Sequence, residues 1–214
     1  MVKKSNSSKR WLEEHFKDHY VISSFKNKLR SRAWFKLEDI DKIYHLINKG
    51  MRVIDLGCSP GSWSLYAREK VGNQGKVISC DILTMDPIPG VIFFQGNLRN
   101  KFFKNLLLKY CNINKVDLVM SDMAPNFTGI SSVDMSNVIN LAKLSFSICQ
   151  SVLIYKGSFL VKLFQGEGFD EYLKMIKHFF LTVKVRKPSS SRTRSRELFI
   201  VAEGYKKNSF LYVK

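Results

Sequence analysis

The stretch Asp55-Leu-Gly57-Cys-Ser-Pro-Gly61-Ser-Trp63 decides how the chain folds. It continues the apolar run MRVI and precedes a helical pattern over 62–70, so it sits where a strand turns into a helix. Gly57 permits the tight turn, and Gly61 lets a ligand approach the backbone. Toward the C-terminus the pattern repeats. KVISCD is followed by a Pro-rich loop, VIFFQG by a helix over 99–110, VDLVMSD by one over 136–154, and GSFLVKLF by one over 169–179. Short apolar runs alternating with helices predict a parallel sheet with helices on both faces. The last two strands, TVKVRK and ELFIVAEGY, enclose the polar loop PSSSRTRSR and no helix. They predict a hairpin, which turns the final strand of a seven-stranded sheet antiparallel. Toward the N-terminus, residues 10–20 and 33–47 are expected to form amphipathic helices. In the second, Trp34, Leu37, Ile40, Ile43, Tyr44 and Ile47 recur at helical spacing. The expected division is a basic N-terminal extension with a short helix over 1–31 and one α/β domain over 32–214.

With 214 residues, 45% hydrophobic and 25% charged, the chain has a globular composition and length for one continuous core. No apolar run approaches the roughly 18 residues of a membrane span. The basic N-terminus is not followed by the apolar stretch of a secretory signal. The cysteines Cys58, Cys80, Cys111 and Cys149 lie far apart without a CxxC pair. That excludes a zinc ribbon or knuckle and argues against a disulfide framework. Buried thiols in a reducing, cytoplasmic compartment are expected. His15 and His19 lie at i,i+4 with no further ligand pattern, so no metal is expected.

The formal net charge is +17 and is unevenly placed. Residues 1–36 hold 10 basic and 3 acidic side chains, and residues 176–214 hold 10 basic and 2 acidic. An AT-rich genome inflates Lys but not Arg. Yet seven of the ten arginines, Arg10, Arg30, Arg32, Arg186, Arg192, Arg194 and Arg196, lie in these two segments. They predict a polyanion-binding surface, which points to nucleic acid.

Asp81 ends the strand after the Gly-rich turn, in position to accept hydrogen bonds from ribose hydroxyls. The turn reads GxxxG rather than GxGxxG, and Asp55 precedes its first glycine. A carboxylate there suits an ammonium rather than a pyrophosphate, which favours S-adenosylmethionine (SAM) over a dinucleotide. A parallel sheet closed by an antiparallel hairpin is also the layout of class I SAM-dependent methyltransferases. Trp63 reads either as lining that ligand or as a core aromatic. Asn97, after the third strand, reads either as a reader of the adenine edge or as a turn residue. Asp122 closes the fourth strand. Lys162 lies inside the fifth between Val161 and Leu163, where an unpaired lysine is costly. Lys36 and Glu197 complete four charges for which a structural ion-pair role and catalysis both stay open.

The stretches LRSRAWFKL, VIDLGCSPGSWS, CDILTMDPI, MSDMAPN, VKLFQGEGFDEY and VRKPSSSRTRSRE make the chain resemble the FtsJ/RrmJ (RlmE) family of bacterial large-subunit ribosomal RNA methyltransferases. The resemblance runs nearly end to end. It implies a catalytic tetrad at Lys36, Asp122, Lys162 and Glu197, and SAM contacts at Gly61, Trp63, Asp81, Asn97 and Asp122. It further implies methyl transfer to the ribose 2′-hydroxyl of a uridine in the A loop of 23S rRNA, within the large ribosomal subunit or its precursor, by a monomer. Lys162 would serve as base only if burial and the Lys36 charge lowered its pKa from about 10.4; otherwise it would steer the hydroxyl as a cation. Asn97 stands where the family usually has aspartate, and Ser62 where it usually has glycine. The competing functions are a tRNA ribose methyltransferase and a non-catalytic ribosome-assembly factor.

Overall fold

The structure, a computed structural model, describes residues 18–113 and 115–206. In chain order the elements are α1 (His19–Lys26), α2 (Ala33–Tyr44), β1 (Arg52–Leu56), α3 (Ser62–Val71), β2 (Lys76–Asp81), β3 (Val91–Gln95), α4 (Lys101–Ile113), β4 (Val116–Ser121), α5 (Ser131–Val152), β5 (Leu153–Phe164), α6 (Phe169–Phe179), β6 (Phe180–Arg186) and β7 (Glu197–Tyr205). The sheet order is β3-β2-β1-β4-β5-β7-β6. The β1–β2, β2–β3, β1–β4 and β4–β5 pairs are parallel, and β7 runs antiparallel to both β5 and β6. The expected α/β fold, with seven strands and a reversed last strand, is thus the observed one.

Alternation along the strands divides the core in two. Leu118, Met120, Leu160, Phe199 and Val201 face α2 and α3. Val119, Phe159, Val161, Ile200 and Ala202 face α4, α5 and α6. A central strand therefore reads as a continuous apolar run, because both of its faces are covered.

Several helices differ from their expected limits: α4 runs Lys101–Ile113 against an expected 99–110, and α5 Ser131–Val152 against an expected 136–154. At the C-terminal end of the helix expected over 10–20, α1 starts at His19. Asp18 is extended, and its side chain caps the helix by accepting from the Tyr20 amide at 3.0 Å. Residues 10–17 of that expectation lie outside the described residues. The helix expected over 33–47 stops at Tyr44, where His45 turns left-handed at φ 50°. Asp41 sets this end: one carboxylate oxygen accepts from the Ile47 amide and the other from Tyr66 Oη, each at 2.9 Å. Leu46 and Ile47 reach the core from a loop, while Ile43 stays exposed. Among the described residues no helix is long and apolar enough to cross a membrane.

Candidate active site

β1, β2, β3 and β4 end on one side of the sheet, and the strand order reverses between β1 and β4, where ligands enter such folds. A cavity of about 500 Å³ lies there, lined among others by Gly57, Asp81, Asn97, Asp122 and Asn126. Gly57, at φ 77°, brings the backbone close to the next loop; a Cβ on it would lie 2.4 Å from Met123 Cγ.

Asp81 is fixed by its own loops. Its Oδ2 accepts from the Ser59 amide at 2.8 Å and its Oδ1 from the Leu83 amide at 2.9 Å. Each oxygen keeps a lone pair for a ligand. Asn97 takes up its turn role while also lining the cavity: Oδ1 accepts from the Arg99 amide at 2.9 Å.

Asp55 is fully buried behind the cavity rather than lining it. Ser64 Oγ donates to Asp55 Oδ2 at 2.6 Å and is itself 2.8 Å from Ser79 Oγ. Asp55 Oδ1 has no hydrogen-bond partner among the described residues. Burial above all, and then the charges of Asp122 and Asp81, raise its pKa to about 7 against the bond from Ser64. Three carboxylates thus converge where β1, β2 and β4 end, a place that favours a cationic ligand.

Gly61 and Trp63 do not line the cavity. Met85 Sδ and Arg30 lie where a Cβ on Gly61 would go, 2.7 and 2.9 Å away. Trp63 is buried, 5.8 Å from the Phe199 ring, and its indole N–H donates to the Ala33 carbonyl at 2.8 Å.

The four separate charges meet at the end of β5. Lys162 and Phe164 share one face of β5, and their register partners on β7 are Phe199 and Glu197. Lys162 Nζ donates to the Asp122 carbonyl at 2.5 Å and lies 2.9 Å from Asp122 Oδ1. Lys36 reaches over from α2, donates to Glu197 Oε2 at 2.8 Å and sits 5.9 Å from the Phe199 ring. Burial pushes the Glu197 carboxyl up, but the Lys36 charge and hydrogen bond and the Lys162 charge together hold it below the usual range. The two ion pairs therefore act on one another. Cys58 and Cys80 are buried, and burial drives both thiols far up, so neither is a nucleophile.

The sequence reading missed the job of Arg30. Its guanidinium donates to the carbonyls of Pro60, Asp86 and Pro87 at 3.0, 2.7 and 2.9 Å, tying the Gly-rich turn to the loop after β2. No spacing signal links residues so far apart. Arg32 is likewise engaged, with Asp18 and the Ser190 carbonyl.

Among known proteins, the FtsJ-like methyltransferase family matches residues 29–205. A structure described as a ribosomal RNA methyltransferase from Plasmodium falciparum is 29% identical and superposes with a TM-score of 0.73, covering 82% of this chain and 98% of that one. One described as an rRNA methylase from Clostridium thermocellum is 18% identical, with a TM-score of 0.56 over 79% of this chain and 97% of that one. A structure described as a hemolysin from Lactococcus lactis is 16% identical, with a TM-score of 0.61 over 84% and 89%. The last two share the fold and carry no more than that.

Proposed function

The chain belongs to the FtsJ-like methyltransferase family, and on that premise we propose that it methylates the ribose 2′-hydroxyl of a uridine in the A loop of 23S rRNA. The substrate is the large ribosomal subunit or its precursor, and the protein acts as a cytoplasmic monomer. The observation that carries the reading is the junction of two ion pairs, Lys162 with Asp122 and Lys36 with Glu197, at the rim of the cavity that Asp122 lines.

SAM, the methyl donor of the family, suits the residues present. Asp81 offers its carboxylate to ribose hydroxyls, and the Asn97 amide lies within the same cavity for the adenine edge. The Asp122 charge at the cavity, with the Asp55 carboxylate buried behind it, suits an ammonium. Gly61 and Trp63 support this site from behind: Gly61 lets Arg30 and Met85 pack onto the turn, and Trp63 anchors α2. When bound, SAM supplies a methyl group on a sulfonium, already activated for displacement.

The protein then has to align the acceptor oxygen and handle its proton. Lys162 is the group assigned to that proton: in its neutral form one N–H donates to the Asp122 carbonyl while the nitrogen lone pair takes the hydroxyl proton as the methyl leaves the sulfonium. Glu197 holds Lys36 in place on the same face. Residues 32–214 form the catalytic domain in this reading, and residues 1–31 a basic extension toward RNA.

The test is transfer of labelled methyl from SAM to large subunits, their precursors, naked 23S rRNA and tRNA, followed by mapping of 2′-O-methyl positions. One modified uridine in the A loop is expected. Methylation of tRNA alone overturns the assigned substrate, and SAM binding without transfer to any RNA overturns catalysis.

A further inference from the structure

Phe127 takes no part in the chemistry above, yet its position is built with care. It lies in the loop that leaves β4 through Asp122 and lines the cavity as far as Asn126. The ring is 54% exposed. It packs edge-to-face on Phe164, with centroids 5.2 Å apart and planes at 77°. Phe164 is two residues beyond Lys162 on the same face of β5 and is the register partner of Glu197. The exposed ring is therefore tied through Phe164 to both ion pairs.

The backbone beside Phe127 is also pinned. Asp134 accepts from the Thr128 amide, Thr128 Oγ1 and the Gly129 amide at 2.7, 2.8 and 3.0 Å. The ring is held at the rim of a polar site. Its free face lies beside the cavity, where the ring of a ligand can stack on it.

We propose that Phe127 is the platform on which the base of the acceptor nucleotide stacks, so that its ribose 2′-hydroxyl is presented at Lys162; this rests on the RNA reading above. A ribose hydroxyl reaches a site at strand ends only if its nucleotide leaves its own stack, and a protein ring can replace the lost neighbour. Every base has a π-face, so such a platform positions the nucleotide without choosing its identity.

The test compares wild type with Phe127→Ala, Phe127→Leu and Phe127→Tyr on large subunits or the RNA they contain. The Ala and Leu variants should raise KM for RNA about tenfold, within the usual range for loss of one base–aromatic stack. The Tyr variant should stay near wild type. SAM affinity and melting temperature should not move, because the ring is largely exposed. RNA carrying 2-aminopurine at the acceptor position should be quenched on binding by wild type and the Tyr variant and not by the other two. A Leu variant with wild-type KM and full quenching overturns the stacking role. So does an Ala variant indistinguishable from an active wild type, which leaves the methyltransferase reading standing. Failure of the wild type to methylate any RNA removes that reading and the stacking with it.

Discussion

Asp55 shows how one residue ties stability to ligand chemistry. Its folded pKa of about 7 lies above the ordinary 3.8. The folded state therefore holds a proton that the unfolded state has lost between those values. From this group alone, stability is greatest below about pH 4 and falls as pH rises to about 7, by at most ~1.4 kcal/mol per unit. Above that it is level. Asp55→Asn should remove this slope, so thermal melts of the ligand-free protein should show the variant gaining on wild type from pH 4 to 7. Because the Asp55 charge lies behind the cavity and attracts a cation there, the same variant should bind SAM more weakly at pH 8; parallel melting curves across pH would refute the burial cost. Asn97 makes a second, separate test. Asn97→Asp keeps the oxygen that caps the Arg99 amide and replaces the amide donor with an acceptor for the adenine amine. Calorimetry should show equal or tighter SAM binding, and a large loss would mean that the donor is needed. At this scale the sequence displays which residues carry charge but not which atom is already engaged. The turn role of Asn97 is realised through the Arg99 contact, and the same residue lines the cavity where it is proposed to meet the adenine edge.

Among the elements, strand alternation was legible because burial on two faces leaves a clear apolar signal. The expected helix over 169–179 is α6 to the residue. Helix ends were less legible, since they depend on side chains that cap from elsewhere. Asp41 reaches across to Ile47 and Tyr66 to end α2, and periodicity alone continues through that point. The Arg30 clip is of the same kind. It joins the segment before α2 to two loops around the cavity, so a residue counted as surface charge is a brace for the cavity proposed to hold SAM. Arg30→Ala should weaken SAM binding by roughly tenfold, the scale of one or two lost charge-assisted bonds. Turnover at saturating SAM should be nearly unchanged, because the clip touches neither ion pair. Titration calorimetry paired with steady-state kinetics checks this; a fall in kcat with intact SAM affinity would contradict it.

In the whole molecule, the two basic segments of the chain meet. Asp18 lies between Arg32 and Arg192, the latter at 3.5 Å, and Ser189 Oγ donates to Asp39 at 2.6 Å. The loop over 187–196 thus packs on α1 and α2, beside Glu197. That Arg30, Arg32 and Arg192 are partly spent on internal contacts was not legible in the sequence, because composition counts charges and not their partners. Changing Arg194 and Arg196 to Glu together should weaken RNA binding several-fold and flatten its salt dependence, since fewer counterions are released. SAM affinity should hold. Unchanged RNA affinity at low salt would remove this loop from the footprint. The seven-stranded sheet matters to function because it brings Lys36, Asp122, Lys162 and Glu197 together from positions far apart in the chain. Lys162 stands at the centre of that claim, and single-turnover methylation of RNA against pH, with Lys162→Arg beside wild type, tests it most directly. The wild-type rate should climb with pH to a plateau while the Arg variant, whose guanidinium keeps its proton, stays at least about 100-fold lower throughout. Near-normal turnover by Lys162→Arg would contradict the account, leaving Lys162 a cationic guide with the proton lost elsewhere.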